Sequence, residues 1–209
     1  MITIINYGLG NISAFANVYK RLNIPVTIAT TSKELKDARK IILPGVGAFD
    51  HAMTLLQQSG MRETLDELVL EKKIPVLGIC VGMQILAKSS EEGVLPGLGW
   101  IDGVVKKFDA SLIKHKTRLP HMGWNTIIPT KADKLFENLN DNARFYFLHS
   151  YYFHCFNPDN EIAETVYGLA FSSAVSSENI YGVQFHPEKS HENGIQVLNN
   201  FANLNHVIS

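Results

Sequence analysis

Four short apolar runs, at residues 2–7, 26–30, 40–43 and 74–79, alternate with helix-like segments through the first half of the chain. Runs that are apolar on both sides of the backbone leave no solvent face. They therefore suit a parallel sheet covered by helices on both surfaces. Turn residues punctuate them: Gly8 and Gly10 stop the first, Pro25 precedes the second, and Pro44-Gly45-Val46-Gly47 ends the third. Segments 11–22, 49–58 and 61–72 read as helices, with Gly60 between the last two and Ser32 as the cap of a shorter piece.

The second half changes character. Residues 100–108, 122–128, 145–153, 166–173 and 180–185 read as strands with few helices between them, and 190–204 as a closing helix that contains Gly194. The expectation is an α/β fold, with a mostly parallel central sheet flanked by helices and antiparallel strands added by the second half. With 209 residues and no linker-like tract or internal repeat, the chain reads as one domain, 1–209.

Charge and cysteine usage exclude several functions. Lys and Arg number 19 against 20 Asp and Glu, a net charge of −1, which lacks the positive field of a general nucleic-acid binder. Lys106, Lys107, Lys114, Lys116 and Arg118 form the one basic cluster, read as a solvated loop. Two cysteines, Cys80 and Cys155, cannot frame a disulfide scaffold, and no Cys/His spacing suggests a metal site. Gly8-Leu9-Gly10 resembles the start of a dinucleotide fingerprint, but Ser13 stands where the third glycine belongs and no acidic residue closes the second strand. Those glycines read as a tight turn at a sheet edge, and no cofactor is expected. There is no leader-like start and no apolar run near the roughly 20 residues of a membrane span. The expectation is a cytoplasmic protein without membrane contact.

The chemistry concentrates around Gly78-Ile79-Cys80-Val81-Gly82, a strand-to-helix turn with glycine on both sides of a cysteine. This is the thiol version of a nucleophile elbow: the turn projects the middle side chain, and the glycines remove Cβ atoms that would collide. A helix starting there favours the thiolate and offers N–H groups to a developing oxyanion. Cys155 has no such setting and reads as structural. Of eight histidines, His186 stands apart, because it follows the last strand and precedes Pro187-Glu188. Proline holds the residue before it in extended geometry, and a near-extended Glu188 would project to the same side and orient the imidazole. Alone, His-Pro-Glu reads as a turn; beside the elbow it completes a Cys80, His186, Glu188 triad.

These two motifs resemble those of the class I, triad-type glutamine amidotransferases. Five segments narrow the likeness to the glutaminase subunits of imidazole glycerol phosphate synthase: Asn6-Tyr-Gly-Leu-Gly-Asn11, Leu43-Pro-Gly-Val-Gly-Ala-Phe49, Pro120-His-Met-Gly-Trp-Asn125, Leu148-His-Ser-Tyr-Tyr152 and Gln184-Phe-His-Pro-Glu-Lys-Ser190. The resemblance implies that Cys80 attacks the glutamine amide, forming a thioester later hydrolysed to glutamate, while His186 protonates the departing ammonia and Glu188 orients His186. It assigns the oxyanion hole to the backbone of Val46 and Val81, and glutamine binding to Gly45, Gly47, Gln84, Ser150 and Tyr151. It also implies a separate cyclase subunit that receives ammonia for histidine biosynthesis, with Asn6, Tyr7, Asn11, His121, Met122, Trp124 and Asn125 at the interface. Trp124 could equally be core.

Three departures from the family pattern stand out: Val81 where Leu is common, His191 where Gln is common, and a longer, more basic stretch at 109–118. One other acceptor scheme remains, a paralogous glutaminase feeding a surface-sugar amidotransferase, and an alternative of another class is a non-catalytic scaffold or partner-binding protein of the same fold. A cysteine peptidase or other acyl hydrolase, active without a partner, is the remaining alternative.

Overall fold

A computed structural model describes residues 1–114 and 118–204. The four apolar runs form β1 (Ile2–Ile5), β2 (Val26–Ala29), β3 (Ile41–Gly45) and β4 (Val76–Cys80), mutually parallel in the order β2-β1-β3-β4. β1, β3 and β4 are buried along their whole length, while β2, at the edge, exposes Thr27 and Ile28. Helices follow the strands: α1 (Ile12–Arg21), α2 (Ser32–Leu35), α3 (Phe49–Gln58) and α4 (Arg62–Asp66), the last continuing as a π-helical turn over Glu67–Glu71. The cap of α2 is Thr31 rather than Ser32, because Thr31 and Glu34 satisfy each other's backbone N–H groups in a capping box.

The helix after the elbow, α5 (Val81–Gln84), is a single turn instead of reaching residue 89. The loop that follows explains the stop. N–H groups of Leu98, Ile101 and Gly99 take the carbonyls of Ile85, Leu86 and Ala87, which a longer helix would have used itself.

The second half contributes β5 (Ser89–Ser90), β6 (Gly103–Lys107), β7 (His121–Thr126), β8 (Ile128–Pro129), β9 (Arg144–His149), β10 (Tyr151–Cys155), β11 (Glu161–Tyr167), β12 (Leu169–Ser177), β13 (Ile180–Val183) and α6 (His191–Asn203). The main sheet runs β2-β1-β3-β4-β13-β12-β10-β6-β5, with β11 and β8 paired beside β12, and β7 with β9 forms a separate two-stranded sheet. β13 lies parallel to β4, whereas β12 is antiparallel to β13 and β10, and β10 is antiparallel to β6; the short β5 pairs with β6 in parallel. The α/β expectation of a mostly parallel core with later antiparallel strands is therefore met.

Three local expectations change. Residues 145–153 form two strands that break at Ser150 and enter different sheets. Residues 166–173 contain a hairpin turn at Gly168, whose φ of +77° suits glycine. The turn at Gly8 and Gly10 is not at a lateral edge, since β1 pairs on both sides. Gly10 is needed there for a close approach, because a Cβ on it would lie 2.6 Å from Pro44 Cβ.

Of the basic cluster, Lys106 and Lys107 end β6, Lys114 and Arg118 are exposed, and Lys116 lies outside the described residues. Among the described residues no helix is long and apolar enough to cross a membrane.

Candidate active site

The elbow at the end of β4 is built by backbone contact. Cys80 has φ +56° and ψ −113°, a conformation that side-chain-bearing residues rarely hold. The glycines around it make that turn possible. A Cβ on Gly78 would lie 2.4 Å from the Gly82 carbonyl oxygen, and one on Gly82 only 2.0 Å from that of Leu43. Gly45 at the end of β3 is equally constrained, 2.5 Å from the Gly82 nitrogen. The sequence pattern thus reflects three chain segments in contact at the elbow: the ends of β3 and β4 and the first turn of α5.

His186 arrives from the other half of the chain. Register pairs Val183 with Ile79, so the residues just past β13 sit level with Cys80. Glu188 is not extended, because Pro187–Lys189 form a 3-10 turn, and this turn brings the carboxylate back to the ring. Glu188 Oε1 lies 2.9 Å from His186 Nδ1, with both side chains buried, which leaves Nε2 to face Cys80. The turn is clamped from several sides. The His186 N–H donates to the Tyr146 carbonyl, Ser190 Oγ donates to the His186 carbonyl, and a Cβ on Gly194 of α6 would lie 1.9 Å from the Pro187 oxygen.

Electrostatics set the protonation of this arm. Burial by itself lowers the affinity of His186 for its proton. Hydrogen bonds and charge from Cys80 and Glu188 outweigh burial and hold the imidazole up to about 10. Burial pushes the Cys155 thiol the other way from reactivity, up to about 11, in keeping with a structural residue.

Cys80 opens on a cavity of about 330 Å³. Of the expected substrate-binding set, Gly47, Gln84, Ser150 and Tyr151 line it, as do Val46 and Val81, while Gly45 stands just behind. Sequence reading missed Glu92 and Gln184. Glu92 lines the cavity from the loop after β5, where nothing local marks it, and its carboxylate accepts the Phe49 N–H at 2.9 Å. Gln184 is fully buried; its amide donates to Cys80 Sγ at 3.7 Å and accepts from Gln84 Nε2 at 3.0 Å. Its position just past the last strand, two residues before His186, was a usable signal.

The interface candidates divide. Met122 is 61% and Trp124 38% exposed, and they share a second cavity with Asn125 and Val166. Trp124 is thus not plain core; its indole stacks on His191 at 5.0 Å. Asn11 is exposed and caps α1, and Asn6 caps the following turn through the Gly8 N–H. Tyr7 and His121, by contrast, are buried, although His121 reaches the wall of that second cavity. The Tyr7 hydroxyl donates to the Pro44 carbonyl at 2.7 Å, directly behind the Gly45-Val46-Gly47 segment.

Residues 3–204 match the glutamine amidotransferase class-I family. Over 204 residues the chain is 60% identical to the imidazole glycerol phosphate synthase subunit HisH of Bdellovibrio bacteriovorus, covering 98% of this chain and 100% of that protein. Identity to the HisH subunit of Leptospira borgpetersenii is 54% at the same coverage. A solved glutamine amidotransferase, 18% identical, superposes with a TM-score of 0.73 over 97% of this chain and 99% of its own. PurLQS from Thermotoga maritima, 17% identical, does so at 0.70 over 97% of each. The two solved structures bear on the fold alone, whereas the sequence matches span nearly the whole chain. The chain belongs to the class-I glutamine amidotransferases and, within them, to the HisH subunits of imidazole glycerol phosphate synthase.

Proposed function

We propose that Cys80, His186 and Glu188 carry out the glutaminase reaction of this family, and that the ammonia passes to a separate cyclase subunit in histidine biosynthesis. The observation that carries this reading is the meeting of an elbow cysteine and a carboxylate-held histidine on one cavity. Cys80 Sγ attacks the side-chain carbonyl carbon of glutamine, and the oxygen takes the developing charge. Val81 N–H and a backbone N–H of the Gly45-Val46-Gly47 segment are the donors for that charge. His186, kept protonated at neutral pH, gives a proton to the departing nitrogen as the tetrahedral intermediate collapses to a thioester and ammonia. It then takes a proton from the water that attacks the thioester, releasing glutamate and restoring Cys80.

Gln84, Gly47, Ser150 and Tyr151, with Gly45 behind them, form the wall that holds glutamine, and the Glu92 carboxylate suits its α-ammonium group. Residues 1–209 act as one glutaminase domain in a cytoplasmic heterodimer. The exposed Met122 and Trp124 beside Asn125 form the docking surface, with Asn6 and Asn11 as further interface residues. The names of the relatives support the histidine-pathway partner. Ammonia release from glutamine, measured alone and with the cognate cyclase subunit and its ligand, tests the reading. Strong stimulation by the cyclase is expected. Release that is equal with and without it sinks the proposed partner, and no release at all sinks the chemistry.

A further inference from the structure

A continuous file of hydrogen bonds joins the Met122–Trp124 groove to the nucleophile, and its direction can be worked out atom by atom. Asn125 Oδ1 accepts from the Thr126 N–H at 2.9 Å, which fixes the amide so that Nδ2 donates. Nδ2 donates to the Val166 carbonyl at 3.0 Å and lies 3.2 Å from His121 Nε2, which must therefore be an acceptor. At the far end, His149 Nδ1 lies 2.7 Å from the Tyr151 carbonyl, which accepts only, so this nitrogen carries the proton. His149 Nε2 is then an acceptor, and the 3.0 Å contact to His121 Nδ1 requires a proton on that nitrogen as well. Both rings are neutral and both hold the Nδ1–H tautomer. Burial is the largest cause that pushes His149 down to about 3, against the opposing Tyr151 bond, so it stays neutral at neutral pH.

The file continues past the histidines. The Tyr151 carbonyl also accepts from Gln84 Nε2 at 3.1 Å, and the same Nε2 donates to Gln184 Oε1. With both amide hydrogens engaged, the remaining polar atom of Gln84, a residue that lines the cavity, is the acceptor Oε1. An acceptor at this point suits a substrate group that donates, such as an amide or ammonium N–H, and disfavours a carboxylate oxygen.

We propose that His121 and His149 are positioning residues: as a neutral pair they hold the Tyr151 carbonyl, which sets the Gln84 amide with its acceptor oxygen toward glutamine. This rests on the glutaminase reading above and adds to it a pair of histidines outside the triad. Stacking supports the fixed geometry, since the His121 ring lies nearly parallel to Phe147 at 4.8 Å and to Tyr167 at 4.0 Å.

Two measurements on the full chain test the proposal. Nitrogen-15 NMR of the imidazoles should find both rings neutral with the proton on Nδ1, and an Nε2–H form of His149 would overturn it. In steady-state hydrolysis with the cyclase subunit present, His149→Phe should raise KM for glutamine about tenfold, the worth of one hydrogen bond, with kcat nearly unchanged. His149→Asn, which restores a donor near the Nδ1 position, should keep KM within about threefold of the parent. His121→Phe keeps the ring stacking and lies outside the cavity; it should raise KM in the same direction by a smaller factor. Equal losses in Phe and Asn at position 149, or a fall in kcat at constant KM, would mean that the pair is only structural. If the parent chain hydrolyses no glutamine, the glutaminase reading falls and the tautomers alone decide the fate of the pair.

Discussion

The parallel and antiparallel halves of this molecule position their functional groups by different physics. On the parallel side, the elbow is held by backbone packed on backbone: Gly45, Gly78 and Gly82 bring three segments so close that no Cβ fits between them. On the antiparallel side, the cavity wall is held by side chains, through the file from Asn125 to Gln84 and through the Glu188–His186 pair. Steric exclusion tolerates no addition, while a hydrogen-bonded file tolerates a replacement that keeps the donor and acceptor in place. The elbow cysteine therefore depends on the absence of atoms, and the groups around it depend on the presence of particular ones.

Removing the nucleophile tests the parallel side at its centre. Cys80→Ala should lower glutamine hydrolysis by about 10⁴-fold or more while leaving the unfolding midpoint and partner binding close to the parent. Ammonia release by this variant at the parent rate would place the reaction on another residue. On the other side, Glu188→Gln keeps the shape and loses the charge, and should cost about 10³-fold in kcat. It also changes how stability depends on pH. The folded state raises His186 from its ordinary 6.5 to about 10, so this stabilisation is complete below about pH 6.5 and is lost as pH climbs through 10. In Glu188→Gln the loss should move to lower pH, seen as a shifted decline in urea midpoints across that window. An unchanged profile would mean that Glu188 does not hold the proton.

Smaller effects sharpen the contrast further. Gly82→Ala drives a Cβ to 2.0 Å from the Leu43 oxygen and should destabilise the chain by about 3 kcal/mol in urea unfolding. Gly60→Ala, with φ +69° but open space around it, should cost only about 1 kcal/mol, the strain of a left-handed backbone. Similar losses at the two positions would show that close approach is not what sets the cost at Gly82. Smaller or comparable is Thr31→Ala, which removes the side-chain half of the α2 capping box on the parallel side, at about 1 kcal/mol.

How legible each half was in the sequence follows from the same difference. Close backbone approach demands glycine at set offsets, so Gly-x-Cys-x-Gly could be read directly, and so could two-sided strands from their continuous apolar runs. A hydrogen-bonded file demands only that polar atoms meet in space. Glu92 has no neighbour in sequence that announces it, and Gln84 meets Gln184 across 100 positions. Residues 145–153 look like one strand because both pieces are apolar and aromatic, and only the assignment of β9 and β10 to separate sheets reveals the break at Ser150.

The sequence by itself determined the parallel block, the elbow and the proposed Cys80, His186 and Glu188 set, because each is written in local spacing that backbone sterics and hydrophobic periodicity enforce. The tertiary structure decided which strand of the second half would join that block. Pairing of β13 with β4 sets His186 against Cys80, and the 3-10 turn braced on Gly194 swings Glu188 to the ring. It also decided that Tyr7 and His121 face inward and that two histidines share a proton order fixed by carbonyl acceptors at the ends of their file. Those outcomes depend on long-range packing, where the partner that satisfies a buried polar atom comes from a distant part of the chain and leaves no periodic mark on either segment.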